Sequence, residues 1–283
     1  MDIQQLECYR QQIEQGHLIP YIGPGTLRGV INQEDGTPIP ADSDSLILAM
    51  NNGRPMAPKL MYEFPRAAMN LELKRGRSFV ERFLTQTYGE KQWSVSALHQ
   101  WIASLNAPYI IDINRDTQLQ NLYADREYIL VVGCARLSGT QYRFQIYHHS
   151  HGNYQVIEQH QVNPDLPVLF KPMGTPLPSP CYIASDADYV DYITELMGGF
   201  AIPAFLKLRR QNKQYLLLGM HLNRDTERMV FSDIIYGANE QLAGWALIEN
   251  ANDKERRYCS KKQIEVIDLE YDPEQEAVEA VFS

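Results

Sequence analysis

The sequence has no hydrophobic run long enough to span a bilayer. Its longest apolar stretch, Gly198-Gly199-Phe200-Ala201-Ile202-Pro203-Ala204-Phe205-Leu206, falls well short of the roughly 20 residues a membrane helix needs, and it contains a proline. A basic segment followed by an apolar one is missing at the N-terminus, so no secretory signal and no membrane partner are expected. Cysteines are few: Cys8, Cys134, Cys181 and Cys259 lie far apart and form no Cys-x-x-Cys pair. A four-cysteine zinc site is therefore not expected, and the four read as free thiols of a cytoplasmic protein. Positive charge is in deficit, with 26 Lys and Arg against 35 Asp and Glu for a net charge of −9. That balance argues against nucleic acid as a partner, since such binding depends on neutralising phosphates. Gly (17) and Pro (16) are too scarce for a collagen-like or low-complexity chain. What remains is an acidic globular chain of 283 residues, ample for a sizeable core.

Residues 2–15 have helical apolar spacing and stop at Gly16. His17–Ile22 reads as a strand that ends abruptly in Gly23-Pro24-Gly25-Thr26. Asp42-Ser43-Asp44-Ser45 offers capping groups for a helix that stops near Gly53. Residues 58–105 read as helical pieces broken by Pro65 and Gly76. Tyr109–Ile113 is a buried-strand run. Glu127–Val132, Tyr142–His148 and Asn153–Ile157 are short β-rich runs separated by turns. Beyond them, strands are expected at Val168–Lys171, Tyr215–Leu218, Gly244–Ile248 and Ile264–Ile267. Helices are expected at 186–196, 202–210, 225–236 and 253–258. The acidic tail after Tyr271 reads as a last helix or a frayed end. No internal repeat is visible. Short apolar strands alternating with helices predict an α/β fold, a mostly parallel sheet flanked by helices. The whole chain, 1–283, reads as one domain with a helical insertion at about 42–105 and a β-rich insertion at about 120–165.

Ligands of such sheets bind beyond the carboxyl ends of the strands. The strand ends therefore form the functional shortlist. Gly23-x-Gly25-Thr26 can bring N–H groups and a hydroxyl to anionic oxygens, although Gly-Pro-Gly is also an ordinary turn. Asn114 and Asp116 follow a strand and are expected on one face, where an amide and a carboxylate suit a ribose or a carboxamide; a plain turn is the alternative. His148, His149 and His151 lack a thiol or carboxylate at ligand spacing and read as a solvated turn, so no metal is expected. Lys254, Arg256, Arg257, Lys261 and Lys262 read as a solvated helix end.

Taken in order, these strand ends resemble the SIR2-like family, relatives of the sirtuins that include bacterial NAD-cleaving defence proteins. The family opens on an apolar strand and a Gly-Ala-Gly-x-Ser-type loop; Leu18–Ile22 and Gly23-Pro24-Gly25-Thr26 stand here. Its Thr-x-Asn-x-Asp-type motif corresponds to Asp112-Ile113-Asn114-Arg115-Asp116, and its Lys-x-His-Gly motif to Lys171-Pro172-Met173-Gly174. An Asp-Tyr pair before a helix (Asp188-Tyr189) and a strand ending in glycine followed by an aspartate (Gly219, Asp225) complete the series. The resemblance implies a Rossmann-like sheet and NAD or ADP-ribose as ligand. Gly23, Gly25, Thr26 and Gly219 would then hold phosphates. Asn114 and Asp116 would line the nicotinamide-ribose pocket and carry any catalysis. Glu249 would reach the adenosine ribose.

Three departures bear on activity. Met173 stands where the family has its histidine base, and a thioether takes no proton. Arg115 replaces an apolar or aromatic residue and would bind an anion or block the pocket. Pro24 removes one N–H from the loop. The zinc ribbon of the deacylases is absent, so a lysine deacylase is not expected. The expectation is a protein that binds NAD, ADP-ribose or a related adenine dinucleotide with weak or no turnover, as a sensor or partner subunit. It would work as a homo-oligomer or with a protein partner. The alternatives are an active NAD glycohydrolase releasing nicotinamide, as in bacterial defence, and a non-catalytic scaffold.

Overall fold

The structure, a computed structural model, describes residues 3–269; the acidic tail after Tyr271 lies outside the described residues. The strands are β1 (Leu18–Ile22), β2 (Tyr109–Asp112), β3 (Tyr128–Gly133), β4 (Phe144–Ser150), β5 (Asn153–Val156), β6 (Val168–Lys171), β7 (Gly174–Thr175), β8 (Cys181–Tyr182), β9 (Gln214–Leu218), β10 (Gly244–Glu249) and β11 (Ile264–Leu269). The helices are α1 (Ile3–Glu14), α2 (Ser43–Met50), α3 (Phe64–Arg75), α4 (Arg77–Thr85), α5 (Ala97–Ser104), α6 (Gln118–Leu122), α7 (Asp186–Gly198), α8 (Ala204–Arg209), α9 (Asp225–Ile234) and α10 (Asp253–Lys261). Nine strands pair in the order β11-β10-β9-β1-β2-β6-β3-β4-β5. All pairings are parallel except those of β4 with β3 and with β5. β7 and β8 form a separate antiparallel pair. The α/β, mostly parallel architecture is therefore the one the sequence predicts.

The apolar strand runs follow from burial on both faces. Ile19, Tyr21, Ile111, Phe170 and Leu217 face one core with α7, α8 and α9. Leu18, Ile22, Ile110, Leu169 and Leu218 face a second core with α1, α5 and α6. A third apolar cluster ties α2, α3 and α4 to Tyr182 and Ala184. α2 starts where its cap predicts, with Asp42 accepting a hydrogen bond from Ser45 N at 2.9 Å. Pro65 does not break a helix. It sits in the first turn of α3, where the missing N–H costs no helical hydrogen bond, while Gly76 does separate α3 from α4. Among the described residues, no helix is long and apolar enough to cross a membrane.

β1 is the fourth of the nine strands, and the strand order runs outward from it on both sides. Successive strands diverge at such a point and leave a crevice at their carboxyl ends. One glycine fixes how closely the neighbouring wall approaches. A Cβ on Gly133, at the end of β3, would stand 2.0 Å from the Pro172 carbonyl oxygen, just after β6. Gly133→Ala is expected to destabilise the fold by about 1–3 kcal/mol, read as a lower urea midpoint at unchanged slope.

Candidate functional site

The loops after β1 and β9 touch backbone to backbone. A Cβ on Gly25 would lie 2.8 Å from Gly219 Cα, and one on Gly219, whose φ is +63°, would lie 2.4 Å from Thr26 N. Only glycine permits this contact. Hydrogen bonds close it. Gly23 N donates to Leu218 O and Gly25 N to Gly219 O, both at 2.8 Å. Thr26 donates twice to Gly23 O, from N at 3.1 Å and from Oγ1 at 2.7 Å. Pro24 has no N–H to give. The N–H groups of Gly23, Gly25 and Thr26 are thus engaged within the protein.

Asn114 joins this knot from β2. Its Nδ2 donates to Gly23 O at 3.0 Å and to Thr26 Oγ1 at 3.2 Å. Asp112 fixes Asn114 in turn, accepting from its backbone N at 3.0 Å and from Lys171 Nζ at 2.6 Å. Both Asp112 and Lys171 are fully buried. Burial pushes the Asp112 carboxyl above its ordinary value, and Lys171 pulls the other way.

Asp116 does not line the cavity with Asn114. β2 ends at Asp112, so strand alternation stops before either residue. Asp116 Oδ1 accepts from Gln118 N at 2.7 Å, while Oδ2 is buried without a partner. His99 of α5 is also buried, with both ring nitrogens unpartnered. Ligand atoms of His99, Asp112 and Asp116 lie within 4.8 Å of one another, which is metal-ligand chemistry. The Lys171 ammonium already occupies one Asp112 oxygen, however, and supplies positive charge to the same cluster.

A cavity of about 240 Å³ opens beside this knot. Asn114 and Arg115, just after β2, and Met173, just after β6, line it. Phe64 of α3, Tyr189 of α7 and Glu227 of α9 contribute to its walls. Met173 is 4% exposed and belongs to the core under α7 and α9. Asp188 beside Tyr189 is a capping residue: Oδ2 accepts from Ala184 N and Ser185 N, each at 3.0 Å. Glu227 Oε2 is buried without a partner, and burial pushes this carboxyl up to about 8 although Arg224 opposes the shift.

The SIR2-like domain matches residues 109–267, more than half of the chain. The chain belongs to the SIR2-like family. Among curated proteins the sequence finds no match. The SIR2-like match takes in Asn114, Asp116, Met173, Gly219 and Glu249, whereas the Gly23–Thr26 loop and residues 42–105 precede it. Family membership points to a NAD-related function. The residues present fit part of such a ligand. An amide, a guanidinium, a phenol and carboxylates surround a volume suited to one end of a dinucleotide.

The other sequence candidates, Gly23, Gly25, Thr26, Asp116, Gly219 and Glu249, do not line the cavity. Glu249, at the end of β10, is ion-paired with Arg28. The histidines do not converge: His148 Nε2 pairs with Glu127, His149 Nδ1 with Arg126 O, and His151 Nδ1 with Ser150 Oγ. The four cysteines are free. Sequence reasoning missed Glu227 as a cavity residue, for which the signal was its place on a helix that follows a strand end, while Tyr189 stood only as part of the Asp188-Tyr189 motif with no role assigned.

Two measurements test this geometry. Lys171→Met strands a buried carboxylate and is expected to cost about 3–5 kcal/mol by urea unfolding, while the double variant Asp112→Leu/Lys171→Met recovers part of that loss. For Glu227, the unfolded chain releases the proton near pH 4.5, whereas the folded chain keeps it to about pH 8. Stability contributed by this group therefore falls as pH rises through that window and levels off above it. Glu227→Gln is expected to gain Tm relative to wild type across the same window, with a constant gap at higher pH.

Proposed function

We propose that this SIR2-like protein binds NAD or a related adenine dinucleotide such as ADP-ribose at the carboxyl ends of β1, β2, β6 and β9, with little or no turnover. It would act as a sensor or as a subunit of a larger assembly. The observation that carries this reading is Met173. It lines the same cavity as Asn114, buried in the core, at the position where the family motif has histidine. A thioether packs well there and accepts no proton, so the ribose hydroxyl has no base at that point. Asn114 offers its amide to the ribose. The glycines of the β1 and β9 loops hold the pyrophosphate once Gly25 N–H is released from Gly219 O. Asp116 acts from behind, through the buried cluster with His99 and Asp112.

One observation favours a second reading, an active NAD glycohydrolase. Glu227 lines the cavity with a buried, unpartnered carboxylate oxygen and could exchange a proton with the ligand. Calorimetry with NAD and ADP-ribose, paired with an assay of nicotinamide release, separates the two. The first reading expects binding without release. Asn114→Ala weakens that binding roughly tenfold or more, the scale of a lost buried hydrogen bond. Met173→His is expected to raise release. Release by the wild type that Glu227→Gln abolishes would replace the first reading with the second. Absence of binding by either dinucleotide would overturn both.

A further inference from the structure

Arg115 is the cation of the cavity that the proposed function leaves unused. It is 9% exposed and lines the cavity between Asn114 and the α3 and α7 walls. Among the described residues, no carboxylate forms an ion pair with it. Arg77 pairs with Asp188 and Glu81, Arg136 with Glu72, and Arg143 with Asp191, whereas Arg210, 8% exposed, lacks an ion pair among the described residues but donates to two carbonyls, Asp233 O at 2.7 Å and Ile234 O at 3.1 Å. Arg224, which also lines the cavity, acts on Glu63 and Glu227 and stacks over Tyr62. Arg115 has one carbonyl, Ile183 O, as acceptor for Nη2, it also hydrogen-bonds the Tyr189 side chain, and its guanidinium lies 5.4 Å from the Phe64 ring centroid. Nε has no partner.

Three phenols lie within reach of its charge, and the carboxylates of Glu63 and Glu227 line the same cavity. Tyr88, Tyr182 and Tyr189 all feel the Arg115 charge. The Tyr88 hydroxyl is committed to Pro40 O, and that of Tyr182 to Thr85 Oγ1. Tyr189 lines the cavity beside Arg115. A buried guanidinium is expensive unless an anion compensates it, and its planar fork matches carboxylates and phosphates. Ile183 O supplies a dipole but no charge.

Position narrows the ligand. The glycine loops lie over β1 and β9, whereas Arg115 follows β2 and reaches toward the chain just after β8. On the proposed reading, a dinucleotide with its pyrophosphate at the glycine loops directs its non-adenosine end toward Arg115. We infer that Arg115, with the Tyr189 hydroxyl, is an oxyanion receptor for that end, so that the site prefers a dinucleotide carrying a pyridine carboxylate to one carrying the carboxamide. This inference rests on dinucleotide binding as proposed above.

Calorimetry with nicotinic acid adenine dinucleotide and with NAD tests it on the wild-type protein alone. The carboxylate ligand is expected to bind roughly tenfold or more tightly, the scale of one charge-assisted hydrogen bond. Arg115→Gln is expected to bring the ratio of the two affinities to about one, and Arg115→Lys to retain part of it. Equal wild-type affinities overturn the inference whether or not the variants fold, and leave dinucleotide binding standing. A preference that survives Arg115→Gln in a folded protein also overturns it. If neither dinucleotide binds, the proposed function fails, and ribose 5-phosphate and inorganic phosphate become the probes. Arg115-dependent binding of either then supports an oxyanion receptor whose source is phosphate, and no binding overturns the receptor as well.

Discussion

The carboxylate of Asp112 is the joint on which the strand ends depend. It lies fully buried at the end of β2 and accepts from Lys171 on β6 and from the backbone of Asn114. Asn114, held in this way, reaches Gly23 and Thr26 beyond β1, and that loop in turn grips Gly219 beyond β9. Four neighbouring strands are linked through one ion pair and a chain of short polar contacts. Such a network is costly to break at any member, because each loss leaves another buried group unsatisfied. It also keeps polar atoms beside the cavity in fixed positions, as a binding site requires.

Much of this was legible in the sequence, for a physical reason. Strands buried on both faces must be continuous apolar runs, so Leu18–Ile22, Tyr109–Ile113, Val168–Lys171 and Tyr215–Leu218 announce themselves, and so do the polar residues that end them. The residues that close the cavity do not. Phe64, Tyr189 and Glu227 come from three helices distant in the chain, and only tertiary packing brings them to Asn114. α6 and the β7–β8 pair were invisible for a related reason: they are short, and α6 reads Gln-Leu-Gln-Asn-Leu without a complete apolar stripe.

Two sequence signals were ambiguous rather than silent. Glycine at 23, 25 and 219 is required wherever backbone comes close to something, whether phosphate or another backbone. Here the neighbour of Gly25 and Gly219 is another backbone, and that of Gly23 is the Met220 sulfur together with Gly219 O. The Asn-x-Asp spacing implied a shared face only while strand geometry continued, and β2 stops at Asp112. Charge carries a similar lesson. A net charge of −9 describes the whole chain, yet the cavity is lined by a buried arginine with no carboxylate ion pair among the described residues.

The contact between Gly25 and Gly219 also has a kinetic side. The Gly25 N–H cannot serve an incoming phosphate while it is bonded to Gly219 O. A ligand that uses it must wait for the two loops to part. Its association rate would then level off at high concentration, set by how often that single hydrogen bond opens rather than by diffusion.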